Sequence, residues 1–265
     1  MPRLRVLARL CRLLLVLLWG TLMASAIALG ERLGFKAPLE RRQRWTCLFM
    51  KQLVAALPFD VRVMGVVPQR PMLWVSNHVS WTDIPLLGML MPLSFLSKAE
   101  VRRWPLAGWL AEQAGTLFIR RGGGDSQRLR EQISEQLGQD RPLLIFPEGT
   151  TTDGRQLRTF HGRLLAGAID QGVAVQPVAI QYLRKGETDP IAPFIGDDDL
   201  VSHLLRLFAE PRGEVCIHLL QPISSVDKER AALAFQAQQA IQLALFGVEE
   251  VEEVEVAPRR QARAA

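Results

Sequence analysis

Between residues 61 and 220, short apolar runs alternate with longer stretches of helical periodicity, and this alternation restricts the possible folds more than any other feature of the chain. The runs fall at 61–66 (VRVMGV), 72–76 (MLWVS), 93–97 (LSFLS), 116–119 (TLFI), 142–146 (PLLIF), 174–180 (AVQPVAI) and 214–220 (EVCIHLL). Each is of strand length and too short for a stable helix. Helical patterns lie near 83–90, 104–113, 125–137 and 160–171, and another covers 227–246, starting after Ser224 and stopping at Gly247. Parallel strands need a long crossover between them, and a helix supplies it. The sequence therefore predicts an α/β fold, a mostly parallel sheet flanked by helices, preceded by an N-terminal membrane-associated helical segment.

A chain of 265 residues can bury one large core, and no shift of composition asks for a second. The expected organisation is 1–57 as membrane-anchoring helices, 58–248 as the catalytic domain and 249–265 as a disordered tail, a Glu/Val alternation followed by Pro258 and three Arg. Cys11, Cys47 and Cys216 are too few and scattered for a disulfide framework, and no Cys/His cluster has metal-ligand spacing. Neither a metal nor another cofactor is expected. The net charge of +5 is concentrated in residues 1–52, which carry ten Lys or Arg against Glu31 and Glu40, and the body is close to neutral. A nucleic-acid binder would carry its basic footprint on the folded domain, so no nucleic-acid partner is expected. Basic residues beside the most apolar stretch point to an anionic membrane surface.

That stretch, Leu13 to Gly30, holds eighteen residues without a charge and follows Arg3, Arg5, Arg9 and Arg12. A cleaved signal peptide is the competing reading, because Ala24-Ser25-Ala26 resembles a processing site. Eighteen residues are at the short limit for a span, and both flanks are basic. Residues 40–56 place Trp45, Leu48, Phe49, Leu53 and Ala56 at helical spacing. Two helices lying in the cytoplasmic leaflet of the inner (cell) membrane fit this pattern, and an ordinary core-packed helix at 40–56 fits it equally.

Three stretches carry chemistry. Asn77-His78-Val79-Ser80-Trp81-Thr82-Asp83 follows an apolar strand directly, at the carboxyl end where open α/β sheets bind ligands. An imidazole there can take a proton from a hydroxyl, and a carboxylate on its other ring nitrogen selects the useful tautomer. A His satisfied by a neighbour, with Asp83 capping the helix at Ile84, explains the same run. Phe146-Pro147-Glu148-Gly149-Thr150-Thr151 is a strand-to-loop turn rich in backbone donors, suited to an anion, although a plain β-turn uses the same residues. Gly115 to Arg121 ends a strand on two guanidinium groups, of which strand alternation sends one toward a site.

Together these stretches resemble the glycerolipid acyltransferase family. Its Asn-His-x-x-x-x-Asp motif is matched at Asn77, His78 and Asp83, and Gly-x-x-Phe-Ile-x-Arg at Gly115, Phe118, Ile119 and Arg121. Phe-Pro-Glu-Gly-Thr is matched at Phe146 to Thr150, Val-x-Pro-Val at Val175 to Val178, and Lys98 falls where the family has a Lys-x-Glu-Leu-like segment. The resemblance implies transfer of a fatty acyl group from acyl-CoA or an acyl-carrier protein to a lysolipid hydroxyl, without a covalent acyl-enzyme. His78 would be the base and Asp83 its orienting partner. Asn77, Lys98, Arg121, Glu148, Gly149, Thr150 and Thr151 would hold substrate. This agrees with the residues themselves, since no Gly-x-Ser-x-Gly elbow is present.

The first expectation for the acceptor is 1-acyl-glycerol-3-phosphate, giving phosphatidic acid for phospholipid biosynthesis. One departure bears on it. Enzymes of that specificity commonly have Arg directly after Glu-Gly-Thr, where this chain has Thr151, a version similar to that of lyso-ornithine lipid acyltransferases. The other readings are a lipid hydrolase using water as acceptor, and a non-catalytic membrane-surface protein indifferent to His78 and Glu148.

Overall fold

The computed structural model describes residues 2–35, 38–104, 107–113, 115–119 and 126–247. The chain begins with two helices, α1 (Pro2–Arg32) and α2 (Leu39–Ala56). There follow β1 (Phe59–Met64), β2 (Leu73–Ser76), α3 (Asp83–Gly88), β3 (Ser94–Lys98), a 3-10 turn at Ala99–Arg103, α4 (Ala107–Gln113), β4 (Leu117–Ile119), α5 (Ser126–Gly138) and β5 (Leu143–Ile145). A second 3-10 turn at Gly162–Leu165 leads into α6 (Ala166–Asp170), then β6 (Val175–Arg184), β7 (Glu187–Thr188), α7 (Leu200–Ala209), β8 (Gly213–Leu219) and α8 (Arg230–Phe246).

The strands form one sheet in the order β1-β8-β6-β2-β5-β3-β4, with β7 on β6. From β6 to β4 every pairing is parallel, and β1 is parallel to β8. The sheet is nonetheless mixed, because β8 meets β6 antiparallel. The reversal starts at β7, which hairpins back on β6 through the two-residue loop Lys185-Gly186 with φ of 57° and 82°, the left-handed pair such a turn needs. α7 then carries the chain to the outer side of β6.

Side-chain alternation along the central strands builds two cores. Trp74 and Leu144 point to one face and pack with Phe95, Ile180, Leu86 and Leu87 of α3, and Leu207 and Phe208 of α7. Leu73, Val75, Leu143 and Ile145 point to the other and meet Ile133 and Leu137 of α5 and Leu233, Ala237 and Ile241 of α8. Strands covered on both faces are apolar throughout, hence the uninterrupted runs in the sequence.

α7 is not anticipated by the periodicities above, although Asp199 caps it, its carboxylate accepting from the Val201 and Ser202 N–H groups. The N-terminal helices are less separable than the boundary at residue 57 suggests. Leu13 of α1 and Val54 and Ala56 of α2 belong to the first core. Arg9 donates to the carbonyls of Phe208 (2.7 Å) and Glu210 (2.6 Å), and Arg5 to that of Ala209, so two cations cap the carboxyl end of α7. The opposite face of α1 exposes Leu4, Leu7, Leu14, Leu15, Leu18, Leu22 and Leu29 at 56–67%. The segment Arg3–Arg32 is long and apolar enough to cross a membrane.

Candidate active site

The site is assembled where β2 and β5 end side by side. Asn77 leaves β2 buried, and its side chain exchanges two hydrogen bonds of 2.9 Å with the backbone N–H and C=O of Ile180 on β6. That amide therefore fixes the strand ends, and it does not reach into the cleft as a substrate contact would. The next residues turn sharply onto the first residue of α3. Asp83 is fully buried, and its Oδ2 accepts from the backbone N–H groups of Val79 (2.7 Å) and Ser80 (3.0 Å) and from His78 Nδ1 (2.7 Å). Asp83 is the first residue of α3, and no side chain caps the helix N–H groups there; its carboxylate instead gathers the N–H groups of the preceding loop together with the ring proton. The alternative in which Asp83 caps the helix at Ile84 is therefore not met, whereas its contact with His78 is.

With Nδ1–H given to Asp83, Nε2 of His78 is left as a proton acceptor on the cleft side. The ring lies flat on Phe146, centroids 3.9 Å apart and planes 11° from parallel, and its side chain is 17% exposed. Orientation is thereby set from two directions.

Glu148 braces the loop. Its Oε1 accepts the His78 backbone N–H (2.8 Å) and its Oε2 the Arg158 N–H (2.9 Å), while Thr152 N–H donates to the His78 carbonyl (2.8 Å). Burial raises the Glu148 carboxyl above its usual range, and the two backbone donors pull it back. The turn beyond it needs glycine, for Gly149 sits at φ +72°. Thr151 donates its hydroxyl to the Phe194 carbonyl, and Phe194 N–H bonds Val79 O at 3.0 Å, tying the 191–194 segment across the loop. Buried His203 on α7 holds that segment from behind. Its Nε2 faces the carbonyls of Ile191 and Pro193, and its Nδ1 accepts from the Trp81 indole at 3.1 Å. Burial lowers its pKa, consistent with a neutral ring that accepts at Nδ1.

A cleft of about 1730 Å³ opens in front of His78. One wall is apolar and comes from the N-terminal helices through Leu17, Gly20, Trp45, Phe49 and Met50. The rim is basic, with Lys98, Arg103, Arg128, Arg158 and Arg163 exposed along it. Glu148, Gly149, Thr150 and Thr151 line the floor beside His78, and Lys98 stands at the end of β3. Arg121 lies outside the described residues. Ser80, the hydroxyl nearest His78 in sequence, is fully buried and closed to substrate.

Tyr182, the chain's only tyrosine, belongs to none of the sequence motifs; it sits beyond Val175–Val178 on β6 and donates to Asp83 Oδ1 (2.5 Å). Burial first, and the Asp83 charge second, push its phenol well above the usual 10.0. The unfolded chain loses this proton near pH 10 and the native protein keeps it, so stability is complete below that pH and falls as pH rises past it. Denaturant titrations on either side of about pH 10 should show the loss, with tyrosinate absorbance appearing only on unfolding.

Histidine and carboxylate at a strand end, facing a cleft with an apolar wall and a basic rim, form an arrangement for proton abstraction from an alcohol beside a long-chain substrate. A family model described as Acyltransferase matches residues 59–181, which span β1 to most of β6. The chain belongs to the acyltransferase family. It is 60% identical to the lyso-ornithine lipid O-acyltransferase of Pseudomonas aeruginosa over the full length of both chains. It is 34% identical to the enzyme of the same name from Rhodobacter capsulatus, with 77% of each covered. The 1-acyl-sn-glycerol-3-phosphate acyltransferase of Neisseria meningitidis is 29% identical over 76% of this chain and 81% of that one. The crystal structure of the 1-acyl-sn-glycerophosphate acyltransferase from Thermotoga maritima shares the fold, with a TM-score of 0.62, 22% identity, and 89% and 96% of the two chains covered.

Proposed function

We propose that this chain moves a fatty acyl group from acyl-CoA or acyl-carrier protein to the free hydroxyl of lyso-ornithine lipid. His78 Nε2 takes the hydroxyl proton as the oxygen attacks the thioester carbonyl. The thiolate then leaves as the new ester forms, and the imidazolium returns the proton to the sulfur. Asp83 holds the ring in the required tautomer and stabilises the imidazolium. The Gly149-Thr150 turn and Lys98 face the acceptor's polar head, the apolar wall takes an acyl chain, and the basic rim receives the acidic donor.

The observation that carries the reaction class is the His78 Nδ1 to Asp83 Oδ2 bond, which leaves Nε2 open to that cleft. For the acceptor, the full-length similarity to a lyso-ornithine lipid enzyme supports an ornithine head over the 1-acyl-glycerol-3-phosphate placed first by the sequence. Thr151 agrees with it, since the residue after Glu-Gly-Thr spends its only donor on Phe194 and offers no guanidinium to a phosphate. Lysophosphatidic acid remains the second acceptor, supported by the basic rim and the Neisseria similarity. A thiol-release assay across lysolipids tests the choice. Faster turnover with lyso-ornithine lipid is expected, faster turnover with lysophosphatidic acid would restore the phosphate acceptor, and release without any lysolipid would indicate a hydrolase.

Attachment follows from the leucine face of α1, with basic residues on both flanks favouring the cytoplasmic face. The enzyme then meets its lipid substrates in the layer where they concentrate. Leu15, Leu18 and Leu22 are exposed and do not line the cleft. Changing all three to Gln should shift the protein from the membrane to the soluble fraction with unaltered thermal unfolding. At about 1.5–3 kcal/mol per buried leucine, the partition falls by roughly 10³-fold or more. A variant that still sediments with membranes contradicts attachment through this face.

A further inference from the structure

Asp83 has a second carboxylate oxygen that neither the loop N–H groups nor His78 uses, and its partner comes from β6, on the face of the sheet that α3 covers. Tyr182 projects from β6 with its ring edge-on to Phe59, centroids 5.4 Å apart at 64°, and is fully enclosed. Its hydroxyl donates to Asp83 Oδ1 and, with that proton committed, accepts from the Thr82 hydroxyl at 2.7 Å. The donation fixes the sense of the pair: Thr82 to Tyr182 to Asp83. A lone buried carboxylate with one satisfied oxygen can swing about its Cβ–Cγ bond, and a swing would carry Oδ2 out of line with the His78 ring. The phenol prevents it from the opposite side.

We propose that Tyr182 is a positioning residue for acyl transfer, holding Asp83 so that Oδ2 stays aligned with His78 Nδ1 throughout turnover. The inference rests on the acyl-transfer reading of the site. Tyr182 keeps its proton at every stage and touches no substrate. Its influence reaches the reacting hydroxyl only through Asp83 and the imidazole, and it must shrink when the negative charge of that carboxylate is removed.

The test is a double-mutant cycle on the full chain in detergent or vesicles, reading thiol release with saturating and limiting lysolipid. Tyr182→Phe keeps the ring and its packing on Phe59 and removes only the hydroxyl. The expected result is a kcat lowered about tenfold at unchanged KM in the wild-type background, with a clearly smaller fractional loss in the Asp83→Asn background. An equal fractional loss in both backgrounds would mean that the phenol serves packing alone, and no loss in the wild type would mean that Asp83 is held without it. Either result overturns the proposal.

Should Tyr182→Phe not fold, biosynthetic replacement by 3-fluorotyrosine alters this one residue, because the chain has no other tyrosine. Its fluorine resonance should move in Asp83→Asn and also in His78→Ala, whose side chain Tyr182 does not touch. A resonance unmoved in both overturns the coupling. Wild-type and His78→Ala rates separate the two levels. An inactive wild type or a fully active His78→Ala defeats acyl transfer itself, whereas active wild type, inactive His78→Ala and unimpaired Tyr182→Phe defeat only the role of the phenol.

Discussion

His78→Ala is expected to lower acyl transfer by roughly 10²–10⁴-fold, the range for losing a positioned base. The fold should survive the change. Every loop hydrogen bond made by residue 78, apart from the ring's own to Asp83, uses its backbone: the N–H to Glu148 and the C=O from Thr152. Alanine keeps both. What is lost is the stack on Phe146 and the partly exposed ring, so the variant should unfold within a few degrees of wild type and still bind the cleft's lipid substrates. Turnover by thiol release, paired with thermal unfolding, checks it. A His78→Ala enzyme of wild-type rate would remove the base from the mechanism.

Asp83→Asn should be the next most damaging change, with kcat down roughly 10²-fold and less affected than in His78→Ala. Only one orientation of the new amide suits the site. Its oxygen must stay at the Oδ2 position, where the Val79 and Ser80 N–H groups and the His78 ring all donate. Its NH₂ then faces Tyr182, whose hydroxyl can turn to accept by sending its proton to Thr82. The loop is therefore preserved while the negative charge opposite the imidazolium is gone, which damages the transition state more than the fold. Asp83→Ala is a harsher change, since it strands four donors in a buried space at about 1–3 kcal/mol each. Circular dichroism and kcat on the two variants separate orientation from folding: Asn should keep the fold and lose rate, and Ala should lose both.

Much of this architecture was legible in the sequence. The seven apolar runs correspond to β1–β6 and β8 within a few residues, and the signal is clearest for β2, β5 and β6, whose burial on both faces requires apolar residues along the strand. His78 and Asp83 were legible because their contact is local and their spacing tight. Tyr182 was not, since the residues it joins are 99 apart in sequence and meet only when β6 pairs with β2. The same holds for His203, which reaches Trp81 across 122 residues. The family resemblance implies a substrate contact at Asn77, but a residue just past a strand end can as readily serve the neighbouring strand, as it does here on β6. Apolar periodicity in α1 and α2 indicated helices with a sticky face and could not say that one side meets the core and lines the cleft while another is left for lipid. The antiparallel entry of β8 depends on a two-residue turn at Lys185-Gly186 and on α7, and neither leaves a strong periodic signal.

The proposed reaction moves the acyl group from thioester to alcohol in a single encounter, with no acyl-enzyme between them. His78 is aimed at the cleft, and Ser80 is sealed away from it. The most direct measurement is intact-protein mass spectrometry of the enzyme mixed with acyl thioester alone and then with lyso-ornithine lipid, following thiol release in parallel. Direct transfer leaves the protein mass unmodified and gives no burst of thiol until the lysolipid is added, after which thiol and diacylated product appear together. A stable acyl adduct on the protein, formed with stoichiometric thiol before any acceptor is present, would contradict it.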